Sequence, residues 1–148
     1  MRLESERLRT ALEYWERKRA GRLMPARADY NPADFPTLLP FVILTDVESH
    51  DPLDFRYRLI GTAICDRIRR DYTGWRLQDL PHQRPGSLVW DGRARCVETR
   101  APVVDPVVPY VGSHARVRHV RQIHLPLSAD GQAVNMIFTA VEFDEAVR

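Results

Sequence analysis

The sequence predicts an α/β fold in the broad (α+β) sense: one curved antiparallel sheet of five strands with helices over one face. Two observations lead there. Apolar residues alternate along 41–47 and 55–61, and again in three stretches beyond residue 102, whereas 62–70 and 85–99 repeat at helical spacing. At 148 residues, 44% hydrophobic and 28% charged, the chain has the size and composition of one small folded domain with a core of its own.

Taken in order, residues 5–19 read as a surface helix. Leu8, Ala11, Leu12 and Trp15 fall at i, i+3, i+4 and i+7, a single apolar stripe, and Gly21 is a natural stop. Pro25, Pro32, Pro36 and Pro40 then forbid a long helix, with Asn31-Pro32 opening one short turn. Leu23, Tyr30, Phe35, Leu38 and Leu39 supply anchors that hold this connector in place. Phe41 to Val47 is the first strand and Phe55 to Gly61 the second, joined at His50-Asp51-Pro52. In the second, Phe55, Tyr57 and Leu59 share one face, and Arg56 and Arg58 share the other.

Thr62 caps a helix through Ile64, Cys65 and Ile68, and a short turn follows around Leu77 to Leu80. Pro85 opens a longer helix that carries Leu88, Val89, Gly92, Cys96 and Val97 towards the sheet, with Arg93 and Arg100 pointing outward. The third strand, Val103 to Val111, is weakened by Pro106 and Pro109, which lack donors and suit an edge. The fourth runs from Ala115 to Leu127. Asp130-Gly131 makes a hairpin turn into the fifth, Ala133 to Phe143.

Charge and cysteine content exclude several function classes. Twenty-two basic residues against twenty acidic ones leave +2, no polybasic field for nucleic acid or membrane. Cys65 and Cys96 are the only cysteines, too few for a disulfide framework and wrongly spaced for zinc, so they read as core thiols. A charged N-terminus unlike a signal peptide, and no long apolar run, make the cytoplasm the expected compartment. No phosphate-binding glycine loop, HExxH helix, GxSxG elbow or serine triad occurs, and no catalytic role is expected.

A family resemblance covers nearly the whole chain. It is carried by Trp15, Arg19 and Gly21, by Leu23-Met24-Pro25-Ala26-Arg27-Ala28-Asp29-Tyr30-Asn31-Pro32, and by Leu38-Leu39-Pro40. It continues through Thr45-Asp46-Val47, Phe55-Arg56-Tyr57-Arg58-Leu59-Ile60-Gly61-Thr62, Asp71-Tyr72-Thr73-Gly74, and Leu125-Pro126-Leu127-Ser128 followed by Asp130-Gly131. These segments resemble a bacterial PAS-like family known mostly from alphaproteobacteria, many of its members of unknown function. The resemblance implies sheet order 2-1-5-4-3, a space between sheet and helices used by relatives for ligands or cofactors, and flanking helices used for dimerisation or signalling. It divides the chain into an N-terminal amphipathic helix and connector, 1–24, and a PAS-like domain, 25–148. The flavin-adduct motif Asn-Cys-Arg is missing, since Ile64 precedes Cys65 and Asp66-Arg67 follow it. The helix from Pro85 to Thr99 holds no histidine for haem, so no cofactor is expected.

The expected function is therefore a non-catalytic sensory or protein-interaction module in signal transduction. Its N-terminal helix or a sheet face would signal to a partner, another protein or a second copy in a homodimer. Leu8, Leu12 and Trp15 are its candidate interface. The alternative is a small-molecule-binding protein or enzyme using the space between sheet and helices. Candidate walls of that cavity are Tyr57, Leu59, Ile64, Ile68, Trp75, Val89, Trp90, Met136 and Phe138, which a filled core would equally contain.

Arg27 has two readings: binding an anionic ligand, or pinning the connector through Asp29, Asp46 or another carboxylate, which burial favours. His114, His119 and His124 do not form a metal shell. Their spacing of five puts His119 on the opposite side of a strand, and ten residues span about 34 Å. Asp46, Glu48, Asp51 and Asp54 read as surface and turn acids.

Overall fold

The computed structural model describes residues 3–109 and 117–145. Ser5 opens helix α1 (Glu6–Arg19) by accepting a hydrogen bond from the Leu8 amide at 3.2 Å, and the helix ends where Ala20 and Gly21 turn to positive φ, 50° and 81°. The connector is a run of three 3-10 turns, Arg27–Asp29, Pro32–Asp34 and Leu39–Phe41. Strands β1 (Val42–His50) and β2 (Leu53–Ile60) form a hairpin. Helix α2 (Thr62–Ile68), a 3-10 turn (Leu77–Asp79) and helix α3 (Leu88–Thr99) follow, then β3 (Val103–Val104), β4 (Val108–Pro109), β5 (Val117–Leu127) and β6 (Met136–Glu145).

The sheet is antiparallel in the order β2-β1-β6-β5-β3, with β4 also pairing β5. This is the expected 2-1-5-4-3 order with its third strand broken in two. Asp105, between the pieces, turns its side chain into the interior, and Pro106 has no amide to offer the ladder. His114 lies outside the described residues, as do the end of the expected third strand and the start of the fourth.

Alternation along β1 and β6 gives the sheet two covered faces. Val42, Leu44 and Phe138 face α1 and the connector, while Ile43, Thr45, Val141 and Phe143 face α2 and α3. The expectation of helices over one face, with a flanking helix beside it, thus takes a specific form: α1 is the lid of the other face. Leu8, Ala11, Tyr14 and Trp15 are buried there, and the Trp15 indole Nε1–H donates to the Pro126 carbonyl at 2.8 Å. Tyr30 and Phe35 from the connector close an aromatic cluster with Tyr14 and Phe138, with centroids 4.8 to 6.1 Å apart. Leu23, expected as an anchor, is exposed, and its neighbour Met24 is buried instead.

Local rules account for three further differences. The α2 N-cap is Gly61, not Thr62. Its amide bonds Val42 O at 2.8 Å, and a side chain at this position would run into the Pro40 carbonyl. Helix α3 begins after Ser87, whose hydroxyl accepts from the Trp90 amide, two residues beyond Pro85. Most consequentially, the β1–β2 register slips between Leu44/Leu59 and Thr45/Tyr57, leaving Arg58 as the extra residue. This bulge moves Leu59 to the α1 side, away from Phe55 and Tyr57.

Candidate ligand-binding site

Between the sheet and helices α2 and α3 lies a cavity of about 130 Å³ that opens to solvent on one side. Its floor comes from Ile43, Tyr57, Val120, Gln122, Val141 and Phe143, and its roof from Ile64 and Ile68 of α2 and Val89 and Arg93 of α3. The wall is apolar except at Gln122, the Tyr57 ring edge and one cation.

That cation is Arg93. It is 1% exposed, although its position on α3 was expected to face solvent. The helix dictates the outcome: Arg93 stands four residues after Val89 and three before Cys96, within the very stripe that meets the sheet. Its Nε–H donates to Thr45 Oγ1 at 3.2 Å, and Nη1 donates to the Val89 carbonyl at 3.0 Å. The guanidinium carbon lies 5.6 Å from the Tyr57 ring centroid. Nη2 is buried and has no hydrogen-bond partner among the described residues, and no carboxylate there forms an ion pair with Arg93. Burial pushes the Tyr57 hydroxyl above the ordinary tyrosine range, opposed by the Arg93 charge. The hydroxyl itself donates to Gln83 Oε1.

Behind Arg93 lies a fully buried polar relay. His124 on β5 contacts Thr139 Oγ1 through Nδ1 at 2.8 Å and Asp105 Oδ2 through Nε2 at 2.9 Å, with no exposed surface. A carboxylate only accepts, so Nε2 carries the proton and Nδ1 accepts from the Thr139 hydroxyl. Burial holds the imidazole below the ordinary histidine range; the Asp105 hydrogen bond opposes this and the Arg93 cation adds to it. His124 is therefore a neutral bridge at pH 7. The relay is admitted by Gly92, where a Cβ would overlap Asp105 Oδ1 and stand 2.9 Å from His124 Nε2. Cys96 is buried beside it, its thiol pushed far up by desolvation and so kept protonated.

Of the nine residues expected to wall a cavity, Tyr57, Ile64, Ile68 and Val89 meet here. The bulge sends Leu59 across the sheet, where it lines, with Phe138 and Arg27, a void of about 40 Å³, room for little more than a water molecule. Trp75 is 52% exposed, Trp90 packs edge-on against Phe55 at 4.8 Å, and Met136 is buried near the β5–β6 turn. Arg27 pairs with neither of the carboxylates named for it: Nη1 donates to the Tyr30 carbonyl at 3.2 Å, while Asp29 pairs with Arg22 and Asp46 with Arg58. It still pins the connector, through backbone. Leu8 and Trp15, expected at an interface, are 2% and 3% exposed against the chain's own sheet, and Leu12 is only partly buried.

Among the described residues, no three His, Cys, Asp or Glu side chains are grouped to hold a metal ion, and no helix is long and apolar enough to cross a membrane. Three of the four first-hairpin acids are engaged by arginines: Glu48 by Arg56, Asp46 by Arg58 and Asp54 by Arg76. Arg93, His124, Asp105 and Gly92 escaped sequence reading as a group. The signal available for Arg93 was its place in the apolar stripe, and for Gly92 a glycine in mid-helix, which costs stability unless something approaches closely.

The sheet order, the helices inserted between its second and third strands and the space they enclose agree with a broader comparison. The PAS domain family matches residues 3–141. No curated protein and no solved structure matches the chain. The family match takes in both covers of the sheet and nearly every wall of the cavity, and the chain belongs to the PAS domain family.

Proposed function

We propose that this chain is a non-catalytic PAS sensory module of the bacterial, mainly alphaproteobacterial, branch, acting in the cytoplasm. A small molecule in the cavity under α2 and α3 sets how the module meets a protein partner, a second copy being the simplest. The observation that carries this reading is the cavity itself, about 130 Å³ of largely apolar space at the sheet–helix boundary with a buried guanidinium in its wall.

The strands provide a route outward. Ile43 and Val141 face the cavity, while their chain neighbours Val42, Leu44 and Ala140 face away from it. A shift in β1 or β6 under a bound molecule is felt by α1, which packs on β5 and β6. The solvent side of α1, with Leu12 at its margin, then presents the change to the partner.

Xenon tests the cavity without prejudging ligand charge. Under xenon pressure the ¹³C-methyl resonances of Ile43, Ile64, Ile68 and Val89 are expected to shift together and saturably, those of the fully buried Leu77 and Leu127 staying put. Unmoved cavity methyls would mean that the space is closed, and the sensory reading would lose its support.

A further inference from the structure

Resting on the reading of the space under α2 and α3 as a ligand site, we infer that a ladder of side chains, Phe143–Arg67–Phe41–Arg7, ties that site to helix α1 around the end of the sheet, a second route beside the strands. Phe143 is a wall of the pocket and so part of what an occupant presses on. The Arg67 guanidinium of α2 lies 5.3 Å from its ring centroid and 5.5 Å from that of Phe41. Arg7 of α1 sits over the same Phe41 ring at 3.6 Å. One residue from each of β6, α2, the third 3-10 turn and α1 thus joins the two covers of the sheet.

Each rung is held in place. Arg67 donates to Glu145 Oε1 from Nε at 2.9 Å and from Nη2 at 2.6 Å, and to the Ala63 carbonyl of its own helix at 3.1 Å. Phe41 ends the turn whose Pro40 carbonyl abuts Gly61, the N-cap of α2, and the next carbonyl, that of Val42, accepts from the Gly61 amide. Arg7 donates to the Val141 carbonyl at 3.4 Å, and Val141 is itself a wall of the pocket. Two cations sharing one ring repel unless carboxylates stand by, and Glu142 and Glu145 of β6 supply them. Ile64 and Ile68, before and after Arg67 on α2, roof the pocket, so an occupant that lifts α2 or turns the Phe143 ring moves Arg67. The ladder passes that movement through Phe41 to Arg7 and loosens the first turns of α1.

The test reads amide hydrogen exchange in the full chain under native conditions. Phe143→Leu keeps the pocket apolar but removes the ring beside Arg67, and Phe41→Leu takes away the middle rung, which is not a wall of the pocket. Each is expected to speed exchange at residues 9–12 about fivefold or more relative to residues 137–141 in central β6. The double variant should add nothing to the larger single effect, since both break one ladder. Phe143→Tyr, which keeps the ring, and Val120→Ala, which alters the pocket wall off the ladder, should leave residues 9–12 as they are. In the unaltered chain, xenon pressure that shifts the pocket methyls should also speed exchange at residues 9–12, and Phe41→Leu should abolish that response. Unmoved exchange in both leucine variants, effects that multiply in the double variant, an equal response to Val120→Ala, or a xenon response that survives Phe41→Leu would each overturn the ladder while leaving the pocket reading intact. Pocket methyls that ignore xenon would instead remove the ligand reading, and the ladder's regulatory role with it.

Discussion

The two faces of this sheet are covered by the same chain in different ways. On one, α1 and the connector lay down interlocking aromatic rings around a void of about 40 Å³, with open grooves only at the margins of α1. On the other, α2 and α3 shelter about 130 Å³, with a buried cation and a histidine–carboxylate relay in and behind its wall. Apolar packing is strong and tolerant of detail, whereas buried polar groups are worth their place only when fully partnered. The first face therefore holds the fold together. Each face holds one buried polar atom without a partner among the described residues, the Tyr30 hydroxyl on the first and Arg93 Nη2 on the second, and the proposed ligand pocket lies on the second.

If this division is right, the largest loss of stability comes from the first face. Trp15 is 3% exposed, and its indole N–H satisfies the Pro126 carbonyl. Trp15→Ala removes a large buried ring and orphans that carbonyl, a loss of about 3–5 kcal/mol. Urea unfolding monitored by far-ultraviolet circular dichroism measures it. A loss under 1 kcal/mol would show that α1 is an appendage rather than a lid, and the contrast between faces would disappear.

A smaller loss, about 1–3 kcal/mol, is expected from Gly92→Ala. The added methyl gains helix propensity worth about 1 kcal/mol, yet it lands on Asp105 Oδ1 and crowds His124 Nε2. The relay must then move or break, and Asp105 is too buried to find water. The same denaturation assay decides the sign. Stabilisation by Gly92→Ala would mean that the relay shifts at no cost and that the glycine is incidental.

These contrasts also mark where the sequence was legible. Helical and strand periodicity placed α1, β1, β2, α2, α3 and the β5–β6 hairpin within a few residues, because each buries one stripe or one alternate set of side chains. The bulge at Arg58 was not legible. It is a property of the pairing between β1 and β2, and the regular alternation of Phe55, Tyr57 and Leu59 conceals it. Arg93 was assigned to solvent on charge alone, although its spacing from Val89 and Cys96 placed it on the buried side; spacing prevailed because helix geometry is rigid and arginine has a long apolar stem. His124 and Asp105 meet only once β3 pairs with β5, a contact between distant segments that no local pattern encodes. The site was thus half visible: Tyr57, Ile64, Ile68 and Val89 were anticipated as a wall, but the charged group that gives the wall its chemistry was not.

The finest test of the contrast is pH. His124 is neutral in the folded chain because burial lowers its affinity for a proton beneath the ordinary value of 6.5. The unfolded chain binds that proton more readily, so the stability this group contributes is complete above pH 6.5 and declines as pH falls from there towards the folded value. The limiting slope is about 1.4 kcal/mol per pH unit, so the step from pH 7 to 5.5 is expected to cost a measurable amount, at most roughly 1 kcal/mol. Acidic groups with lowered values, such as Asp29 and Asp130, lose their contribution only at lower pH, within the carboxylate range. Urea midpoints for the unaltered chain and for His124→Gln separate the two sources: the variant should lose the decline between pH 7 and 5.5 and keep the one below it. Were both chains to decline equally in the upper window, another group would be responsible, and His124 would not be the neutral bridge between Thr139 and Asp105.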